Sequence, residues 1–209
     1  MDYVQALEKR YSVKKFDCDR KVSHQQLNRI LEAGRLSVSS LGLQPYKILV
    51  VQSEEMLKKC IPAFYNSSQI STCSHLVLLV SKKSIDEGYI NRYFDHITKV
   101  RNIAADSLLS FRSSISNFIQ TKDENSLLHW TEKQAYIVLG NLIFASALEE
   151  VDTCPMEGYD AEKLQQILGV NVASERISVA LALGFRAKDD VFQSMKKVRK
   201  PDENLFTFI

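Results

Sequence analysis

The amino-acid sequence predicts an α+β fold in a single domain over residues 1–209. The composition, with 45% apolar and 25% charged residues, is that of a globular chain long enough to bury a full core. Short apolar runs, such as Leu76 to Val80, are typical of inner strands. Longer segments with helical periodicity separate these runs, and no repeat or linker divides the chain.

Capping residues and hydrophobic periods assign the elements in chain order. The first helix is predicted over residues 2–9 with Asp2 as N-cap, and the second begins at a capping box of Ser23 and Gln26 and ends near Gly34. Further helices are predicted over 53–61, 127–150 and 160–168, and an irregular helical stretch over 85–119. Strands are predicted over residues 46–51, 76–80 and 177–183. Loops are expected over 37–45 and through Asn66 and Gln69, and a turn over 153–159.

Two apolar regions are expected to be buried, either within the chain or against a second subunit. The helix over residues 127–150 is apolar on nearly all sides, and small residues such as Gly140 allow another helix to approach closely. The closing run, residues 205–209, alternates aromatic and polar residues as an edge strand does. A free strand there would leave Phe206 and Phe208 in water, so docking on a sheet edge is expected, either the chain's own or a partner's.

Charge and cysteine usage exclude several classes of protein. The formal net charge is +2, and the basic and acidic residues are interspersed, so no face for nucleic acid is expected. The four cysteines show no C-x-x-C pair and no metal-binding spacing, which indicates a reduced protein without a metal site. No secretory signal is expected, and the longest apolar run, residues 137–148, is too short to span a bilayer. A cytoplasmic protein without membrane association is predicted.

The basic segment over residues 10–16 is the first candidate site. As extended backbone it places Arg10, Ser12 and Lys14 on one face, so that two cations and a hydroxyl lie within about 14 Å. Such a face suits a long, partly anionic ligand better than a metal or a peptide. A solvated basic turn after the first helix is the alternative, because lysine and arginine are mostly exposed.

Three further motifs follow this segment in order. The four motifs are Arg10-x-Ser12-x-Lys14, Ser39-Ser40 before Gln44-Pro45 and an aromatic residue, Pro155-Met156-Glu157-Gly158, and Lys197-x-Arg199 before a proline. Together they resemble the FMN-dependent nitroreductase family, in particular its oxygen-insensitive NAD(P)H nitroreductase and dihydropteridine reductase branch. The resemblance covers essentially the whole chain. It implies a three-layer α/β/α sandwich with a mixed central sheet, in a homodimer whose C-terminal tail extends onto the partner subunit.

The resemblance also implies which residues bind FMN at the subunit interface. Arg10, Lys197 and Arg199 would clamp the phosphate, and Ser12 would meet the ribityl chain. Lys14 would face the N1 and O2 edge of the flavin, where a fixed ammonium stabilises the reduced ring, and it is the catalytic candidate. The other implied contacts are Ser39 and Ser40 from the partner, Asn66 on the pyrimidine side, Gln69 near O2, and Pro155, Glu157 and Gly158, whose turn presents backbone to N5.

The sequence departs from the family's pattern at three positions. Gln69 stands where relatives have a second lysine near O2, which predicts a weaker positive field and a lower reduction potential. Gly42 replaces an asparagine that helps to hold FMN across the interface, and Val38 replaces a proline with little expected effect. The residues predicted to contact substrate are Leu41 and Phe118, with Phe111 in reserve. For the two aromatic residues, a place in the core is an equal alternative.

The resemblance predicts an oxidoreductase with a ping-pong mechanism. NADH or NADPH would reduce FMN, and an electron-poor acceptor such as a nitroaromatic, quinone, pterin or flavin would then take two electrons. The seven glycines form no dinucleotide fingerprint, which fits a nucleotide that has no Rossmann pocket. Two alternatives stay open: a flavin-binding or flavin-sequestering protein without a dedicated substrate, and a specialised relative such as a flavin-dependent dehalogenase.

Overall fold

A four-stranded sheet forms the centre of the computed structural model, which describes residues 2–209. Its strands are β1 (Tyr46–Val51), β2 (His75–Lys82), β3 (Asp152–Met156) and β4 (Glu175–Gly184). They are ordered β1-β2-β4-β3, so that β2 and β4 are interior and β1 and β3 are edges. Each neighbouring pair is antiparallel; Leu78, for example, lies opposite Leu49 on one side and Ala180 on the other.

Helices precede, separate and follow the strands. The α-helices of residues 2–209 are α1 (Tyr3–Lys9), α2 (His24–Arg35), α3 (Glu54–Cys60), α4 (Ser67–Thr72), α5 (Glu87–Arg101), α6 (Leu109–Gln120), α7 (Glu124–Leu148), α8 (Ala161–Leu168) and α9 (Asp202–Leu205). Single 3-10 turns cover Ser40–Gly42, Ile61–Ala63, Ala105–Leu108 and Val191–Ser194. None of these helices is long and apolar enough to cross a membrane.

The period of two along β2 divides the core into two layers. Leu76 and Leu78 point to one face of the sheet, where they pack with residues of α3, α4 and α8. Val77 and Leu79 point to the other face, where α2 and α7 cover them. Because helices cover both faces, an uninterrupted apolar run is buried throughout. The predicted α+β three-layer sandwich is confirmed.

A third hydrophobic cluster joins α5, α6 and the first turn of α7. Phe94 and Ile97 of α5 pack there with Ile115 and Ile119 of α6. The two helices are separate because α5 ends at Asn102, which takes the left-handed conformation common for asparagine after a helix, with φ 52°. The irregular helical stretch predicted over residues 85–119 is therefore a pair of helices.

Three local predictions are corrected by the structure. The side chain of Asp2 makes no capping hydrogen bond, whereas the capping box of Ser23 and Gln26 is formed. Gln69 lies on α4 instead of in a loop, because Asn66 caps a short helix there. The turn predicted over 153–159 is a strand in its first half, since Asp152–Met156 pairs with β4. An edge strand tolerates Pro155, whose missing N–H would break an inner ladder.

The mixed sheet and the tail also differ in detail from expectation. The named strands are antiparallel, and the parallel pairing found among residues 2–209 is a single bridge between Ser12 and Thr153. The strand predicted over 205–209 is not formed within the chain. Leu205 ends α9, and the residues after it are exposed, Phe208 to 96%. The tail does not dock on the chain's own sheet, and its docking on a partner stays a prediction.

Candidate functional site

The two ends of the chain meet at a cleft of about 530 Å³. One wall is the extended segment after α1, and the other is the tail that follows the last 3-10 turn. Lys197 joins the two walls, because its Nζ donates to the carbonyl oxygen of Leu7 at 2.5 Å and also to that of Arg10. The residues of the predicted site that line this cleft are Arg10, Ser12, Lys14, Lys197 and Arg199.

The four cations of the predicted site lack an acidic partner. Lys9, Arg186 and Lys196 also line the cleft, and of these Lys9 is paired with Glu150 and Arg186 with Asp152. Within residues 2–209, no carboxylate oxygen lies within 4.0 Å of a side-chain nitrogen of Arg10, Lys14, Lys197 or Arg199. Arg10 Nε is buried and has no hydrogen-bond partner among the described residues. Burial and the charge of Arg199 lower the pKa of Arg10, and burial with both arginines lowers that of Lys197. Convergent, mutually repelling cations of this kind have the chemistry to bind an anion.

The extended segment explains how Ser12 and Lys14 reach the cleft. Ser12 pairs with Thr153 of β3, and Val13 is fully buried beneath them. Lys15 points the opposite way and forms an ion pair with Asp189 at 2.5 Å. The alternation of faces predicted from the period of two is thus confirmed for residues 12–15.

Asp190 holds this segment from the far end of the chain. Its Oδ2 accepts hydrogen bonds from the backbone N–H of Lys14 at 2.8 Å and of Lys15 at 3.2 Å, and its Oδ1 accepts from the N–H of Phe192 at 3.0 Å. Burial alone would raise the pKa of this carboxyl, but the three N–H donors hold it below its ordinary value. Sequence reasoning missed Asp190, because no local pattern pairs it with residues so distant in the chain.

Lys14, Gln69 and Cys154 meet beside the cleft. Lys14 Nζ and Gln69 Nε2 each lie 4.0 Å from Cys154 Sγ. Burial raises the pKa of the Cys154 thiol, and the Lys14 ammonium opposes that shift. Gln69 is 4% exposed, and its Oε1 has no partner among the described residues. The trio is not a metal site, and residues 2–209 contain no group of three or more His, Cys, Asp or Glu side chains that could hold a metal ion.

The turn after β3 lies outside the lining of the cleft. The predicted contacts in this region are Asn66, Pro155, Glu157 and Gly158. Glu157 and Gly158 are exposed, and the carbonyl oxygen of Gly158 accepts from the N–H of Tyr65 at 3.0 Å. Tyr136 on α7 donates its hydroxyl to Glu157 Oε1, and burial together with this carboxylate raises the pKa of Tyr136. The turn is therefore tied to the central helix, while Glu157 and Gly158 are exposed.

The loop before β1 carries Ser39, Ser40 and Leu41, and it is strained. Leu41 and Gln44 have φ of 59° and 45°, values that residues other than glycine rarely adopt. Two side chains hold this conformation: the Tyr93 hydroxyl donates to the carbonyl oxygen of Leu41 at 2.8 Å, and Gln134 Oε1 accepts from the N–H of Ser40 at 2.8 Å. Strain of this type persists only where the surrounding structure over-determines it. Within one chain the loop does not line the cleft.

The structure explains why glycine occupies position 42 in this chain. Its φ is +71°, and a Cβ at this position would lie 2.6 Å from the hydroxyl oxygen of Tyr93. The asparagine expected from the family pattern would therefore collide with Tyr93. The tyrosine from α5 occupies the space that a side chain at position 42 would need.

The two aromatic candidates for substrate contact pack against other rings. Phe118 is half-buried, stacks edge-on against Trp130 with ring centroids 5.4 Å apart, and lies under the ammonium of Lys122. Phe111 packs against Phe94 with centroids 5.5 Å apart. Neither residue lines the cleft, so contact with substrate stays a prediction that would require a second subunit.

Comparisons with known proteins agree with this geometry. Residues 7–185 match the family model described as the nitroreductase family. A protein of Staphylococcus haemolyticus, provisionally named an NAD(P)H nitroreductase, is 33% identical over 214 residues, which cover 99% of this chain and 96% of the relative.

Solved structures share the fold. A protein of Staphylococcus epidermidis, provisionally named an NAD(P)H:FMN oxidoreductase, has a TM-score of 0.87 and 23% identity over 100% of this chain and 96% of its own. A provisionally named nitroreductase of Exiguobacterium sibiricum, solved in complex with FMN, has a TM-score of 0.86 and 20% identity over 100% of this chain and 98% of its own.

Proposed function

The chain belongs to the nitroreductase family, and on this premise we propose that it is an FMN-dependent oxidoreductase that uses NADH or NADPH to reduce electron-poor small molecules. The observation that carries the proposal is the cleft in which Arg10 and Lys14 meet Lys197 and Arg199 from the other chain end, with no carboxylate of residues 2–209 within 4.0 Å of these four cations. The relative named an NAD(P)H nitroreductase and the FMN complex of the Exiguobacterium protein support the choice of donor and cofactor.

The donor set of the cleft fits the phosphate of FMN. A phosphate dianion needs several charge-assisted donors, and Arg10, Lys197 and Arg199 supply two planar guanidinium groups and one ammonium. Each such bond contributes about 1.5–3 kcal/mol. The buried, unpaired Nε of Arg10 would gain the acceptor that it lacks among the described residues. Ser12, on the same wall, is the candidate for the ribityl hydroxyls.

Lys14 would act on the ring end of the cofactor. When bound, FMN supplies the ability to accept a hydride from a nicotinamide and to pass two electrons to an acceptor. Lys14 is held by its backbone, because its N–H donates to Asp190 and its carbonyl oxygen accepts from Ser68 Oγ at 2.9 Å. These bonds fix the point from which the Lys14 side chain extends, and its ammonium would stabilise negative charge on the ring. Gln69, beside it, adds an amide without a charge.

The remaining contacts with the cofactor are proposed at the turn after β3. Glu157 and Gly158 would present backbone groups to the reacting edge of the ring, with Pro155 before them and Asn66 nearby on the pyrimidine side. The bond from Tyr136 to the side chain of Glu157 keeps this turn in place.

The proposed assembly is a homodimer. One chain leaves apolar surface exposed on α7, where Tyr136 is 41% and Ile137 39% accessible, and on the tail, where Phe206 is 55% accessible. Burying such surface against a second copy is favourable by about 25 cal/mol per Å². In that copy the loop with Ser39, Ser40 and Leu41 would approach the cleft, together with Phe118. The acceptors would be nitroaromatics, quinones, pterins or flavins, reduced in a ping-pong cycle.

The test is an anaerobic titration of the FMN-loaded protein. The flavin absorbance should bleach with NADH or NADPH and return after addition of a quinone or a nitroaromatic, with many turnovers per protein. Analytical ultracentrifugation should give a dimer. A protein that takes up no FMN would refute the assignment. Binding and bleaching without acceptor turnover would favour a flavin-sequestering protein, and loss of halide from a halogenated acceptor would favour the dehalogenase alternative.

A cytoplasmic location is proposed, because all four cysteines are unpaired.

A further inference from the structure

A buried carboxylate stands where the two ends of the chain approach each other. Asp190 is 3% exposed and lies at the start of the C-terminal tail. Its two oxygens serve different parts of the chain: Oδ2 accepts from the N–H groups of Lys14 and Lys15, and Oδ1 accepts from the N–H of Phe192. One side chain therefore fixes both the segment that carries Ser12 and Lys14 and the 3-10 turn that leads to Lys197 and Arg199.

The carboxylate does this without neutralising the cleft. Among residues 2–209, no side-chain nitrogen of lysine or arginine lies within 4.0 Å of an Asp190 oxygen, whereas its neighbour Asp189 is paired with Lys15 at 2.5 Å. The acceptor capacity of Asp190 is directed to backbone N–H groups, so the cations of the cleft keep their charge available. A charged acceptor bonded to several N–H groups is also a strong constraint on their geometry.

We propose that Asp190 is the positioning residue of the anion site: it sets the distance between Arg10 and Lys14 on one wall and Lys197 and Arg199 on the other. This inference rests on the proposed function, since the anion in question is the FMN phosphate. Without Asp190 the two walls would still be joined by Lys197, whose bonds to the carbonyl oxygens of Leu7 and Arg10 are exposed and use the ammonium that the phosphate requires.

The test is the ratio of FMN affinity to riboflavin affinity. The two ligands share the ring and the ribityl chain, so the ratio reports the phosphate clamp alone. Asp190→Asn preserves the size of the side chain but replaces one of its two acceptor oxygens with an NH₂ group. The three backbone N–H groups are bonded to both oxygens in the wild type. Either the N–H of Phe192 or those of Lys14 and Lys15 must face an NH₂ group. The expected result is a fall in the ratio of about tenfold or more.

Asp189→Asn is the matched control. It removes the neighbouring charge from an exposed ion pair, and the ratio should stay at the wild-type value. Asp190→Glu keeps the charge but lengthens the side chain, and it should also lower the ratio. If Asp190→Asn does not fold, the ratio measured for Asp190→Glu tests the positioning role instead. A general loss of stability would reduce both affinities together and leave the ratio unchanged.

The tail gives an independent readout. Trypsin cleaves after lysine and arginine. The rate of cleavage after Lys196, Lys197 and Arg199 therefore reports how firmly the tail is held against the segment after α1. In the FMN-loaded proteins, cleavage there should be faster in Asp190→Asn than in the wild type and the Asp189→Asn control. Wild-type ratios in both Asp190 variants would overturn the positioning role. A wild-type protein that does not prefer FMN to riboflavin would instead overturn the proposed function.

Discussion

Arg199→Gln should separate ligand binding from stability. Arg199 lines the cleft near the end of the tail, and its only hydrogen bond within residues 2–209 goes from Nη1 to the adjacent carbonyl oxygen of Val198 at 2.6 Å. The substitution therefore removes no contact with the folded core. It removes a cation that helps to lower the pKa of Arg10 and of Lys197.

The magnitudes follow from this environment. Loss of one charge-assisted bond to phosphate costs about 1.5–3 kcal/mol, which raises the Kd for FMN roughly 10- to 150-fold. The Kd for riboflavin should change less than about threefold, because riboflavin has no phosphate. The ligand-free protein loses the repulsion of Arg199 from half-buried Arg10 and exposed Lys197, which is worth about 1 kcal/mol because Arg199 itself is solvent-exposed. Its Tm should therefore stay constant or rise by up to about 2 °C.

Fluorescence titration with FMN and riboflavin measures the two affinities, and a thermal melt without flavin measures stability. Lys200→Gln is the control, since Lys200 is exposed in the same tail but does not line the cleft. It should leave both affinities and the Tm unchanged. Equal losses of FMN and riboflavin binding in Arg199→Gln would show that no phosphate lies at this cation, and the placement of FMN in the cleft would fail.

Three further substitutions test other parts of the structure. Lys14→Ala should retain FMN, because the phosphate clamp is elsewhere, but slow the reduction of bound flavin by NADPH in stopped flow; an unchanged rate would remove Lys14 from the mechanism. Gly42→Ala should lower the Tm by about 2–10 °C, because strain at φ +71° and the clash with Tyr93 cost about 1–3 kcal/mol, whereas Gly88→Ala, whose Cβ would meet only side-chain ends at 3.4 Å, should change it little. Glu175→Gln should destabilise the protein more at pH 7 than at pH 3 in urea unfolding. Burial raises the pKa of Glu175, but its bonds to Lys47 at 2.5 Å and Lys82 at 3.3 Å outweigh burial and hold the pKa below its ordinary value. Its stabilisation is therefore present above the unfolded-state pKa and is lost as the pH falls through the folded one. Equal destabilisation at both pH values would contradict this.

The layers of the fold could be predicted from local patterns because each pattern has a local cause. The apolar run of β2 is long enough for an inner strand and too short for a helix, and both faces of the strand are buried. The capping box of Ser23 and Gln26 satisfies the first N–H groups of α2 within four residues. Such features need no knowledge of distant residues.

The missed elements depend on distant partners. β3 contains Pro155 and is followed by Gly158, so locally it resembles a turn, and it is a strand because β4 pairs with it. The sequence of α4 is rich in serine and threonine, which are weak helix formers, and it is helical because Asn66 caps it and Gln69 and Ile70 are buried. Tertiary contacts override propensity in both cases.

The same limit applies to the site. The motif Arg10-x-Ser12-x-Lys14 predicts which side chains share a face, and all three line the cleft; Tyr11, which the same alternation places on the other face, lines it too. No local pattern shows that Lys197 and Arg199 lie opposite them, because this depends on the path of the tail after β4; the resemblance to the family implied it. Asp190 was missed for the same reason: its bonds to Lys14 and Lys15 link residues more than 170 positions apart.

The strained loop before β1 gives the strongest physical reason to expect a second subunit. Each non-glycine residue with positive φ costs of order 1–3 kcal/mol, and Leu41 and Gln44 both carry this cost. Tyr89 and Tyr93 offset part of it by donating their hydroxyls to carbonyl oxygens of the loop, Tyr89 at 2.8 Å to those of Leu43 and Gln44.

The side chains of Tyr89, Tyr93 and Gln134 hold this irregular loop. The loop nevertheless does not line the cleft of its own chain. We expect the loop to serve the site of a second subunit. If the loop served only the fold, then Tyr93→Phe, which removes one hydroxyl, should lower the stability of the protein without changing flavin binding. If the loop completes the cleft of a second subunit, the same variant should lower FMN and riboflavin affinity together, because the loop would touch the ring end and not the phosphate. Arg199→Gln has the opposite signature, so the two variants together distinguish a contact made within one chain from a contact made between two.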